Sequence, residues 1–175
     1  MNLSKLFNSN SKDDKQESYK YVANRLIDVY RKDRKKVFSF TSSSMSKEAC
    51  LEVVKKFSDQ ISEKGLNTLI IQACISDKKD IIEVSDIKEK SLLTFNNLDP
   101  YELKKIIIEK QDDYDFILVL IPSVILKADA LEYAKFCDKI ILIEKYMYCY
   151  YSSYEETLLR LKSAGIKPYG VITVV

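Results

Sequence analysis

Short, continuously apolar runs alternate along the chain with longer stretches in which apolar residues recur every three or four positions. The first pattern predicts strands buried in a sheet, the second amphipathic helices. Residues 1–14 (MNLSKLFNSNSKDD) fit neither pattern and read as a flexible tail. From Glu17 to Lys32 the residues Tyr21, Val22, Arg25, Leu26 and Val29 keep helical spacing. The run from Arg31 to Lys36 holds five basic residues around Asp33 and closes that helix, where positive charge complements the helix dipole. Its ordinary reading is a solvated helix end, and the alternative is a patch facing a membrane or a partner.

Val37–Thr41 (VFSFT) predicts a short strand, followed by Ser42, Ser43 and Ser44 and then a helix from about Ser46 to Lys64. Gly65 sits one position past that helix, where the chain turns left-handed and a Cβ would be strained. Thr68–Ala73 (TLIIQA) predicts a buried strand, and residues 76–97 hold candidate short strands at Ile81–Val84 and Leu92–Phe95. Asp99 and Pro100 mark the cap and first position of a helix reaching about Gln111. Phe116–Ile121 is the next strand, stopped by Pro122. A helix over Lys127–Cys137 and a strand over Lys139–Glu144 follow. A helix over Ser152–Ala164, capped by Ser152 or Ser153 with Glu155 and Glu156 in its first turn, ends at Gly165. Gly170–Val175 is the last strand. This alternation predicts right-handed crossovers and a three-layer α/β/α fold with a mostly parallel sheet, one domain over residues 15–175.

Composition narrows the function. Of 175 residues, 28 are basic and 26 acidic, a net charge of +2 that gives no general field for nucleic acid. No apolar run is long enough to insert into a bilayer. There is no histidine, which removes the commonest general base and metal ligand. The four cysteines (Cys50, Cys74, Cys137 and Cys149) form no CxxC pair, so no metal site is expected and they read as reduced thiols of a cytoplasmic protein. Only three glycines are present, little material for a loop whose N–H groups must converge on a phosphate.

The order of landmarks is nevertheless that of a phosphate-binding fold. Glu17-Ser18-Tyr19-Lys20-Tyr21-Val22-Ala23 stands where a helix of the form E-[AS]-[FY]-R-x-L-R is found. Ser42 to Cys50 stands where a strand is followed by T-S-x-x-P-G-E-G-K-[ST]. Ile70 to Cys74 stands where L-[IL]-D-x-D is found, Asp99 to Leu103 where N-P-x-E-L is found, and Tyr114 to Ser123 where Y-D-x-[IV]-[IV]-[IV]-D-x-P-P is found, with no motif intact. Asp129-Ala130, Cys137 to Ile143 and Ala164 to Ile172 continue the series. From Glu17 to Val174 the chain thus resembles the cytoplasmic kinase domain of the bacterial tyrosine autokinases of capsular and exopolysaccharide synthesis. These are P-loop NTPases of the septum-site and plasmid-partition ATPase type.

The resemblance implies a nucleotide site whose chemical positions are all changed. Ala49 stands for the phosphate-binding lysine, Ser46 and Glu48 for two loop glycines, and Cys50 for the hydroxyl that ligates magnesium. Gln72 and Cys74 stand for the aspartates after the second strand, Leu120 for the metal aspartate and Val174 for an asparagine near the adenine. The stretch between Cys74 and Asp99 is also shorter than in the family. Losing the lysine, the hydroxyl and the aspartate costs more than ~5 kcal/mol, at about 1.5–3 kcal/mol for each charged hydrogen bond. That turns a micromolar site into a millimolar one or worse. Glu48 would add a carboxylate facing the phosphates, while Lys47 beside a helix N-terminus could still reach an anion. No cofactor is therefore expected.

The family's E-x-x-R-x-x-R helix contacts the neighbouring subunit, and here Lys20 and Ala23 replace both arginines, which points to a monomer or dimer. Tyr146, Tyr148, Tyr150, Tyr151 and Tyr154 precede a helix and are not a C-terminal tail. They read as packed residues, as an interface, or as phosphoacceptors. Cys50 and Cys74 end adjacent strand–loop units and could lie close together. Asp112, Asp113 and Asp115 read as solvated loop charges.

The resemblance points to a catalytically inactive scaffold or regulator of polysaccharide assembly. Its surfaces for a protein partner would be Glu17, Lys20, Arg31 and Lys35 together with the tyrosine segment. The partner would be the cytoplasmic end of a membrane protein of chain-length control or export. A nucleotide-dependent enzyme using other residues and an interaction module outside polysaccharide synthesis are the alternatives.

Overall fold

Twelve elements follow one another in the computed structural model, which describes residues 12–74, 81–87, 90–96, 98–127 and 129–174. They are α1 (Lys12–Asp33), β1 (Val37–Thr41), α2 (Lys47–Ser62), β2 (Thr68–Cys74), β3 (Ile81–Ile87) and β4 (Lys90–Asn96). The second half holds α3 (Pro100–Lys110), β5 (Phe116–Leu120), α4 (Ala130–Lys135), β6 (Lys139–Lys145), α5 (Tyr151–Ser163) and β7 (Pro168–Val174). The strands form one sheet in the order β3-β4-β2-β5-β1-β6-β7. All neighbours are parallel except β3, which runs antiparallel to β4 at the edge.

Because successive strand residues face opposite sides, each apolar run feeds two cores. Phe38, Phe40, Leu118 and Ile141 share one core with Leu26 of α1 and Val54, Phe57 and Ile61 of α2. Ile71, Ile117, Val119 and Leu142 share the other with Leu103 and Ile107 of α3, Tyr133 of α4 and Leu161 of α5. The result is the expected three-layer architecture. Phe57 is fully buried and lies against both Tyr19 and Phe40, at ring separations of 5.3 and 6.1 Å.

The cap signals hold at several ends. Asp99 accepts the N–H of Tyr101 at 2.8 Å and Glu102 reaches back to the N–H of Asp99, a reciprocal capping box. Gly65 and Gly165 follow α2 and α5 with φ of 74° and 72°.

Other boundaries differ from the sequence expectation. Lys12, Asp13 and Asp14 belong to α1 and not to the tail, and residues 1–11 lie outside those described. β3 and β4 are seven residues each, longer than their apolar centres, because an edge hairpin is held by backbone pairing and tolerates polar side chains. α4 starts only at Ala130, since the N–H groups of Leu126 and Lys127 turn back to the Ser123 carbonyl. α5 starts at Tyr151, and neither Ser152 nor Ser153 caps it. Glu156 instead pairs with Arg160 one turn on, at 2.7 Å. β7 begins at Pro168.

Candidate functional site

In a doubly wound sheet ligands enter where the strands end. Here that edge carries the loop from β1 to α2, the ends of β2 and β5, and the segment after β6. The loop is built around the chain's own groups. Glu144, at the end of β6 and only 5% exposed, accepts the N–H of Ser43 at 2.8 Å and the hydroxyls of Ser44 and Ser42 at 2.9 and 3.3 Å. The Ser42 oxygen takes the N–H groups of Met45 and Ser44, at 2.9 and 3.1 Å. Ser46 caps α2 by accepting the N–H of Ala49 at 3.2 Å. The amides of residues 43, 44, 45 and 49 are thus all taken within the chain. The hydrogen bond between the Glu48 carboxylate and its own backbone N–H, with help from Ser46, lowers its pKa.

Beside this loop lies a cavity of about 290 Å³. Met45, Cys50, Ala73, Leu120 and Ile121 line its apolar part. Burial, and then the charge of Glu144, push the Cys50 thiol up to about 12, so it is protonated at neutral pH and no nucleophile. Lys47 and Lys127, both exposed, line the cavity as well, as does Leu126, which is 76% exposed. Ser123 contributes a buried hydroxyl with no hydrogen-bond partner among the described residues.

The structure therefore gathers Ser46, Lys47, Cys50 and Leu120 around one cavity. Glu48 and Ala49 do not line it, so Glu48 is not the carboxylate at this site. Gln72 is buried on β2 beside Leu120 of β5, where its oxygen accepts the Thr94 hydroxyl at 3.3 Å. The side chain of Cys74 lies outside the described residues, and with it the expected closeness to Cys50. Cys50, Cys137 and Cys149 are free thiols. Among the described residues no cluster of three or more Cys, Asp or Glu could hold a metal.

The tyrosine segment is not packed, contrary to the first reading above. Tyr146, Tyr148, Tyr150 and Tyr151 are exposed, the last two at 77%, together with Met147. Met147 takes a φ of 60°, which turns the chain outward between β6 and α5. Only Tyr154 packs against the core. Glu17, Lys20 and Arg31 are exposed on α1, while Lys35 is tied to Asp138 at 3.1 Å. Asp115 is not a solvated charge either: it accepts the N–H of Asn67 at 2.9 Å and the hydroxyl of Tyr30 at 3.3 Å.

The sequence pass missed Glu144, Ser123 and Lys127. A lone Glu ending an apolar run reads as a charge emerging into water.

No protein-family model matches the chain, and no curated protein matches it. Solved structures do. The kinase domain of Escherichia coli tyrosine kinase ETK matches with a TM-score of 0.75 at 14% identity, over 91% of this chain and 74% of that one. The chimerical protein CapA2B2 matches with a TM-score of 0.75 at 14% identity, over 94% and 85%. The MinC:MinD cell division complex of Aquifex aeolicus matches at 0.63 and 16%, over 79% and 68%.

Proposed function

We propose that this domain, which has the fold of the bacterial tyrosine kinase domains and of the MinD and ParA ATPases, is a non-catalytic relative of the capsule and exopolysaccharide kinases. It acts as a cytoplasmic scaffold or regulator of polysaccharide assembly. The observation that carries the reading is the β1–α2 loop. The amides of residues 43, 44, 45 and 49 serve Glu144, Ser42 and Ser46 and are not offered to an outside phosphate, and no acidic residue stands at Gln72 or Leu120 to carry magnesium. An apolar wall takes the place of the metal.

The exposed aromatic segment Tyr146–Tyr151 supports action through the surface. Tyrosine offers large amphipathic contact area at low entropic cost, and interfaces are enriched in it. The partner is the cytoplasmic end of a membrane protein of chain-length control or export. Among the described residues no helix is long and apolar enough to cross a membrane. The domain is a monomer or dimer, because Lys20 and Ala23 cannot supply the bidentate contacts of two arginines.

Two experiments test this reading. Incubation with labelled ATP and magnesium, followed by mass spectrometry, leaves every tyrosine unmodified; phosphate on Tyr146 to Tyr154 contradicts it. A pull-down from native lysate captures the export protein with wild type and loses it with Tyr148→Ala/Tyr150→Ala/Tyr151→Ala. Equal capture by a folded variant removes the tyrosine surface from the account.

A further inference from the structure

The cavity beside the β1–α2 loop is apolar within and basic among its exposed lining residues. Its volume of about 290 Å³ stands at the lower end of the range for small-molecule pockets, roughly 300–1,000 Å³, a size that suits a single ring or a short alkyl chain. Leu120, Ile121 and Ala73 offer only carbon to a ligand. The exposed Leu126 extends this apolar surface to solvent. Lys47 and Lys127 are exposed, and neither forms an ion pair within 4.0 Å among the described residues. Ser123 also lines the cavity, and its hydroxyl is buried with no hydrogen-bond partner among the described residues.

The charge the cavity accepts is small. After burial, the charge of Glu144 raises the Cys50 thiol in its wall, so negative potential already reaches the space. Two ammonium groups against that background suit one negative charge better than several. The amides of residues 43, 44 and 45 are committed to Glu144 and Ser42 within the loop.

We propose that this cavity binds a small organic acid. Its apolar body lies against Leu120, Ile121 and Ala73, and its single carboxylate is held by Lys47 and Lys127. The inference rests on the cavity and not on the role proposed for the domain.

Calorimetric titration of the full chain with octanoate tests it, with octanol, inorganic phosphate and ATP as parallel titrants. Octanoate binds saturably at one site, octanol about tenfold or more weaker, and phosphate not at all. Lys47→Ala/Lys127→Ala, which changes two exposed side chains, weakens octanoate about tenfold and leaves octanol unchanged. Leu120→Asp, which puts a carboxylate against the ligand's apolar body, abolishes octanoate binding. The proposal is overturned by a lack of saturation at millimolar octanoate, by phosphate binding more tightly than octanoate, or by unchanged affinity in the double lysine variant. If octanoate and ATP both fail to bind, the organic-acid site is removed while the non-catalytic account stands.

Discussion

Where the strands of the sheet begin, Asp138 accepts the N–H groups of Lys36 and Val37, each at 3.0 Å, and Asp115 holds Asn67 and Tyr30. Where the strands end, Glu144 holds Ser42, Ser43 and Ser44. The carboxylates at both edges do the same work of fixing the chain's own loops. The edges differ in depth: Glu144 is almost fully buried, whereas the Asp138 side chain keeps 23% of its exposure. The comparison teaches that at the edge where this fold usually takes ligands a buried carboxylate is spent on the chain's own loop, as at the opposite edge, beside a cavity with an apolar part.

The largest expected effect is therefore at Glu144. Glu144→Ala orphans the Ser43 amide and the Ser42 hydroxyl in a buried setting, while the exposed Ser44 hydroxyl turns to water, and leaving buried groups unsatisfied costs about 1–3 kcal/mol each, discounted where a hydroxyl can rotate. Urea unfolding should show a loss of about 3 kcal/mol. A loss below about 1 kcal/mol would mean that the loop holds its shape without the clamp. Asp138→Ala comes second, at roughly 1–2 kcal/mol, because water can replace part of what it loses and its ion pair with Lys35 is partly exposed. If Asp138 cost more than Glu144 in the same assay, the ranking by depth would be wrong.

Alkaline titration sharpens the comparison at a smaller scale. The Cys50 thiol rises from its ordinary 9.0 to about 12 through burial and then Glu144. The folded state thus holds this proton more tightly than the unfolded chain. Its contribution is complete below about pH 9.0, and it is lost as pH rises toward about 12. Cys50→Ala should flatten the fall of stability over that window, and an unaltered slope would show that the thiol is not the titrating group. Tyr148→Ser/Tyr150→Ser/Tyr151→Ser should sit at the bottom of the series, within about 0.5 kcal/mol of wild type, because exposed side chains contribute little to folding. A large destabilisation there would return those tyrosines to the core.

Most of the fold was legible because its central strands are buried on both faces. VFSFT, TLIIQA, FILVLI and KIILIE are runs that only a covered sheet accommodates, and Asp99, Gly65 and Gly165 punctuate the helices by local chemistry. The weaker readings fell where context outweighs pattern. β3 lies at the sheet edge, held by pairing with β4 across a register shift, and so carries little apolar signal. The site was legible only as a set of losses. That Leu120, Cys50 and Ala73 would line one cavity follows from strand order, with β2, β5 and β1 side by side, which no local pattern encodes. Glu144 was invisible for the same reason: its partners are about a hundred residues away in sequence, on the neighbouring strand's loop.

The central claim is that the loop and its surroundings no longer hold a nucleotide, and thermal unfolding with and without millimolar Mg-ATP tests it most directly. The account predicts superimposable melting curves at all concentrations. A melting temperature that rises saturably with Mg-ATP, toward the roughly 2.7 kcal/mol of stabilisation expected at ~100 times a dissociation constant, would contradict it.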